Sequence, residues 1–229
     1  MSSDGSFSEH IRKICQSARN MCAWICRTFS DRSQELMLTT WKSLILPIVD
    51  YCSQLWCPLK KGDIQMIEQI QKSFTRKISI GKRDYWERLR HLRIYSLERR
   101  RERYRIIYVW KILENMVPNL TTEQNQIKSC STPRHGRRCI VPPLSRSSSW
   151  SRVKSLQEGT LSVNGAQLFN ILPEQLRNLT NVELSVFKGK LDEFLQTVPD
   201  EPQSPGYVGT CQAESNSLLH MVQNASQRT

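Results

Sequence analysis

No apolar run in this 229-residue chain is long enough to cross a bilayer, which takes roughly 18 or more consecutive apolar residues. The nearest candidate, KSLILPIVDYCSQLWCP at 42–58, is interrupted by Lys42, Pro47, Asp50 and Gln54. Lys42 and Asp50 would each be costly at mid-bilayer, so no membrane partner is expected. The opening MSSDGSFSEH lacks the charged-then-apolar layout of a signal peptide, which points to an intracellular protein, nuclear or cytoplasmic, and not a secreted one. The eight cysteines contain no C-x-x-C pair and are irregularly spaced, and the four histidines are scattered. A disulfide framework and a zinc site both lack their pattern. Cys15, Cys22 and Cys26 instead share an apolar stripe with Ile11, Ala18 and Phe29, and are read as small core residues of a protein in a reducing compartment. The sequons at Asn119, Asn178 and Asn224 are then chance matches.

Catalytic signatures are missing too. There is no Gly-rich phosphate loop, no GxSxG, no HExxH, and no paired acids of the kind that hold two magnesium ions. Catalysis by this chain alone is not expected, nor is a cofactor or a metal site within it. Negative charge is also scarce: 21 acids face 33 lysines and arginines, a formal net charge of +12. So basic a chain points to an anionic partner, a nucleic acid or a membrane surface.

The apolar residues that are present fall at helical spacing. Ser6 and Glu9 form an S-x-x-E capping box ahead of Phe7, Ile11, Ile14, Ala18, Met21, Ile25 and Phe29, predicting a first helix that ends near Thr28. Met37, Trp41, Leu44, Ile48, Cys52, Leu55 and Trp56 predict a second, running through Pro47 with a kink. A third is expected from Asp63, with Ile64, Ile67, Ile70, Phe74 and Ile78 near one face, up to Gly81. A short helix follows from Asp84 to about Leu92, and a longer one from Ser96 to Val117. Residues 1–120 therefore read as an α-helical bundle. Residues 121–160 are polar and rich in Ser, Arg and Pro, a basic flexible connector centred on PRHGRRCIVPP. A small helical segment is expected over 161–198, and a disordered tail over 199–229. The fold class is mainly α.

Positive charge is concentrated. Between Lys72 and Lys111 there are fourteen Lys or Arg against four acids, densest in SLERRRERYR at 96–105. Arg99 and Arg103, like Arg101 and Arg105, are like charges four apart, which repel by a few tenths of a kcal/mol. A helix that accumulates repulsion gains most from a polyanion, although a solvated, ion-paired face remains the competing reading. Arginine suits bidentate phosphate contacts. Tyr85, Trp86, Tyr104 and Tyr108 are placed to stack on bases, while Tyr104 and Tyr108 fit a core equally well. The candidate phosphate-contacting residues are Lys72, Arg76, Lys77, Arg99, Arg100, Arg101, Arg103 and Arg105, with Arg134, Arg137 and Arg138 in a second cluster that reads equally as a basic linker. No base-reading motif accompanies them, so binding would be directed at the backbone.

Several segments, in order, resemble the end of a reverse transcriptase of the jockey-type non-LTR retrotransposons (LINEs). They are HIRKICQSARNMCAWICRTF, MLTTWKSLILPIVDYCSQLWCP, DIQMIEQIQKSFTRKI, YWERLRHLRIYSLERRRERYRIIYVWKILENMVPNL, RHGRRCIVPP, NGAQLFNILPEQLRN, FKGKLDEFLQTVPDEP and NSLL. The likeness runs from Phe7 to Leu219. It implies a thumb-like helical region of an RNA-directed DNA polymerase, gripping RNA or an RNA/DNA template–primer duplex as it leaves the palm. It also implies that the opening stretch is a core helix covered on several sides. The family's catalytic aspartates, and the divalent metal they hold, belong to a palm upstream of the matching region, so no catalytic role is carried to any residue here and the palm itself is an expected partner. The endonuclease of such elements is absent as well. The alternative is a stand-alone or co-opted helical module that binds RNA, DNA or a protein.

Overall fold

The computed structural model describes residues 7–58, 60–117, 127–133, 136–144, 157–201 and 216–226. The protein is mainly α: the described residues form helices and one two-stranded sheet. The chain divides into two compact units, Met1–Arg101 and Glu102–Thr229.

In the first unit, α1 (Ser8–Thr28) buries Ile11, Ile14, Cys15, Ala18 and Ile25, the stripe expected from their spacing. Ser6 lies outside the described residues; Glu9 pairs with Arg12 on the exposed side. The second helix departs from expectation. It consists of α2 (Gln34–Thr40), one wide π-turn (Trp41–Ile45) and α3 (Leu46–Asp50), and it stops at Asp50, not beyond Trp56. Pro47 has no N–H to return to Ser43, and the ladder widens just upstream, with Leu46 N–H reaching Trp41 O. The buried residues Met37, Trp41, Ile45 and Val49 are each four apart. Steps of four overshoot a 3.6-residue turn, and the wide turn takes up the excess. Tyr51 and Leu55 are exposed, and Cys52 turns the chain with φ of 52°.

α4 (Lys61–Thr75) starts two residues before Asp63, whose carboxylate accepts from Ser8 Oγ at 2.7 Å and so ties α4 to the start of α1. Ile67, Ile70 and Phe74 are buried, and Phe74 lies 5.1 Å from the Trp41 ring. α5 (Tyr85–Leu92) opens on a full capping box between Asp84 and Glu87 and closes on Arg93 in the left-handed region. α6 (Leu97–Leu113) begins under the Glu68 carboxylate, which accepts the Leu97 N–H at 3.0 Å and the Tyr85 hydroxyl. One acid on α4 thereby holds the starts of two helices.

The second unit opens inside α6, so the expected boundary at 120 is too late. Beyond Arg101 the helix contributes Ile106, Val109 and Trp110 to another core. Trp110 stacks on Phe187 of α9 (Leu184–Thr197) with centroids 4.4 Å apart and planes within 8°, and donates to Leu179 O at 2.9 Å. The expected connector contains β1 (Ser129–Thr132) and β2 (Gly136–Cys139), paired antiparallel. Asn170, at the end of α7 (Ala166–Asn170), continues this pairing with a side chain: it accepts from Cys139 N–H at 2.7 Å and donates to Cys139 O at 2.9 Å. After α8 (Glu174–Arg177), the sequon residue Asn178 accepts the Arg137 N–H at 2.8 Å, a structural use of that amide. Gly136 (φ +61°) lies close enough to Asn178 that a Cβ would stand 2.6 Å from its oxygen.

The expected disordered tail is corrected in part. Residues 216–226 are described and contain α10 (Leu218–Ser226), with Leu218 and Met221 buried. Glu102 accepts from Leu218 N–H at 2.9 Å and from Ser217 Oγ at 2.6 Å, a carboxylate at a helix start that single-segment reading does not reveal.

Two outcomes are expected. Trp110→Ala should cost about 3–5 kcal/mol in urea unfolding, and Trp110→Phe far less, chiefly the hydrogen bond at about 1 kcal/mol. Burial pushes the Cys139 thiol up to about 12, and burial with the neighbouring Cys26 pushes Cys22 to about 12. Alkylation at pH 9 should therefore modify exposed Cys52 and Cys130 well before Cys22 and Cys139, read by peptide mass mapping.

Candidate nucleic-acid interface

The arginine-rich helix α6 is where sequence-level charge and structure part company. In the first unit, Arg99 is fully buried and Arg101 is 6% exposed. Arg101 donates to Val49 O and Leu97 O at 3.3 Å each, and its guanidinium lies 5.2 Å from the Trp56 ring centroid. Burial lowers its pKa, with the nearby Asp50 charge opposing. Arg100 is half-buried and donates through Nε to Asp50 at 2.7 Å. In the second unit, Arg103 makes a bidentate pair with Asp192 at 2.5 and 2.7 Å. Arg105 is buried and donates to Asn164 at 2.7 Å and to Gly159 O at 3.3 Å.

These five were read as phosphate contacts, and the geometry corrects that for Arg99, Arg101 and Arg105. A side chain with almost no accessible surface has none to offer a strand. Arg103 has its fork engaged by a carboxylate of its own unit, and Arg100 donates through Nε to another. The repulsion counted along the helix is offset by acceptors from distant parts of the sequence, at 50, 164 and 192. Tyr104 and Tyr108 are half-buried.

Arg137 belongs with the structural group. It bonds Glu114 at 2.5 Å and Leu113 O at 2.9 Å, while its own carbonyl accepts from Arg177 at 2.7 Å. Arg138 is exposed on β2. Arg134 lies outside the described residues.

Lys72, Arg76 and Lys77 behave differently. Lys72 is half-exposed, with Nζ 5.9 Å from the Tyr85 ring centroid, and Arg76 and Lys77 are exposed where α4 ends. The connection to α5, Gly-Lys-Arg-Asp at 81–84, adds exposed Lys82 and Arg83. Gly81 makes the turn with φ +79°. Among the described residues, no ion pair neutralises Arg76, Lys77, Lys82 or Arg83. Arg76, Lys82, Arg83 and Arg88 line one open pocket of about 510 Å³ together with Thr75, Ile78, Gly81, Asp84 and Glu87. Lys82, Arg83 and Arg88 were absent from the sequence-based set. Their signal was there in part: two adjacent cations between a turn glycine and a capping aspartate are held out from both helices.

No protein-family model, curated protein or solved structure matches this chain. The functional reading rests on the residues alone. Among the described residues there is no group of three or more His, Cys, Asp or Glu able to hold a metal ion, and no helix long and apolar enough to cross a membrane.

The two sets of cations should separate in chemical denaturation. Arg101→Ala is expected to lose about 3 kcal/mol or more, from a cavity beside Trp56 and from the Val49 and Leu97 carbonyls left without their donor. Arg76→Ala and Lys77→Ala should stay within about 0.5 kcal/mol of the parent.

Proposed function

We propose that this chain is the thumb-side part of a non-LTR retrotransposon reverse transcriptase, and that it grips the backbone of an RNA/DNA template–primer duplex. The observation that carries the gripping role is the exposed row Arg76, Lys77, Lys82 and Arg83 at the junction of α4 and α5, extended by half-exposed Lys72, with no ion pair to any of them among the described residues. The family origin is supported by the ordered segments from Phe7 to Leu219. In this role the buried arginines of α6 act as scaffold, and the junction supplies the contacts. Nucleotide transfer and its divalent metal belong to a palm, the partner to which these helices would be joined.

A backbone-directed role fits the residue types. Lysines and arginines on a short turn and a helix end track phosphates without reading bases, so sequence preference should be weak. A second reading, docking of a protein partner, is favoured by the exposed Tyr51 and Leu55 on the turn after α3.

Anisotropy titration of the full chain with an RNA/DNA hybrid at several salt concentrations tests the grip. Four phosphate contacts predict a slope of log K against log salt near about −3.6. Arg76→Ala with Lys77→Ala should flatten it by roughly 2. A salt-independent affinity, or an unchanged slope in that variant, would count against the reading. Full-length transcripts of the locus are expected to continue upstream into a palm with paired aspartates; transcripts lacking one would leave only the binding role.

A further inference from the structure

The pocket between the end of α4 and the start of α5 differs from an ordinary basic patch in one respect: one of its cations is already fixed. Arg88 is 6% exposed, yet it lines the pocket. Its Nε donates to Thr75 Oγ1 at 3.2 Å and its Nη1 to Arg83 O at 2.7 Å. Thr75 is itself fixed, its hydroxyl donating to Gln71 O at 2.9 Å. The guanidinium is thus held in one orientation before any ligand arrives, which lowers the ordering cost of binding. Burial, and then the like charge of Arg76, lower the Arg88 pKa, so this cation sits where a nearby anion would relieve both burdens.

The Asp84 charge favours the Arg88 cation, but it is outweighed by burial and Arg76, and neither lining carboxylate accepts a hydrogen bond from Arg88. Asp84 accepts from Glu87 N–H at 2.7 Å and Glu87 accepts from Asp84 N–H at 3.2 Å, so both are engaged in starting α5. Four cations, Arg76, Lys82, Arg83 and Arg88, therefore face two carboxylates committed to a helix cap. A volume of about 510 Å³ falls among sites that hold whole small ligands, which is more room than a bare ion needs. Lys72 and Lys77 extend the positive row beyond the pocket, as an anionic polymer would require and an isolated anion would not.

We propose that this pocket seats a phosphodiester of a nucleic-acid strand, with Arg88 as the preset contact and Arg76, Lys82 and Arg83 closing on it from the rim. The proposal rests on the nucleic-acid reading above and narrows it to one point of anchorage.

The test is an amide NMR titration of the full chain with a tetranucleotide at constant ionic strength, beside the same tetranucleotide with a neutral methylphosphonate backbone. Saturable shifts confined to Thr75, Gly81, Lys82 and Arg83, absent with the neutral backbone, are expected. Lys82→Ala with Arg83→Ala should bind about tenfold more weakly, while Arg19→Ala, an exposed arginine on α1, should bind as the parent does. Equal shifts from the neutral oligomer, or linear shifts spread over all exposed basic residues, would overturn the proposal. So would displacement of the tetranucleotide by phosphatidylserine vesicles at equal phosphate, which would assign the site to a membrane surface. Loss of the pocket shifts while hybrid-duplex affinity keeps its salt slope removes the pocket alone. Saturable pocket shifts beside a salt-independent duplex affinity keep the pocket and remove the duplex grip.

Discussion

A helix that carries five arginines and is nevertheless largely buried must supply each guanidinium with a fixed place, and much of this molecule answers that requirement. Asp50 at the end of α3 receives Arg100, and the carbonyls of Val49 and Leu97 receive Arg101. Asp192 on α9 takes the fork of Arg103, and Asn164 and Gly159 take Arg105. For Arg101 and Arg105, which are almost fully buried, removing an acceptor leaves a charge in a medium that solvates it poorly, a far larger penalty than the weak repulsion between neighbours along the helix. The arginines therefore dictate where other elements sit.

The carboxylates are correspondingly few and specifically placed. Glu68 holds the starts of α5 and α6 through Tyr85 and Leu97. Glu102 holds the start of α10, and Glu114 joins Arg137 to the Asn181 N–H. In each case a negative side chain meets unsatisfied backbone donors or a guanidinium from a distant segment. With 21 acids against 33 basic residues, the acids are too few to pair with every cation. Among the described residues of the 72–111 stretch, exposed cations without an ion pair gather where the chain turns between α4 and α5, not along the most arginine-rich segment.

Charge density in the sequence and charge on the surface are thus different quantities. Arginine has a long apolar stem and a head that can be satisfied by carbonyls, so it enters a core more readily than a count of charges suggests. Lys77, Lys82 and Arg83 stay outside because they lie at a helix end and a glycine turn, where no other element covers them.

Much of the helical layout was legible because it follows from local periodicity and caps. The stripe of α1, the apolar face of α4 and the Asp84 cap of α5 each need only residues within a few positions of one another. The stop at Asp50, the hairpin at 129–139 and α10 were not legible, because each is tied to a partner remote in sequence. Asn170 completing the edge of β2 is one such case, and Glu102 capping Leu218 is another. The sequence by itself determined a mainly α, strongly basic chain with its cations gathered between residues 72 and 111. Only the tertiary structure decided which of those cations meet solvent, since burial is set by what packs against a helix and not by the residues the helix carries.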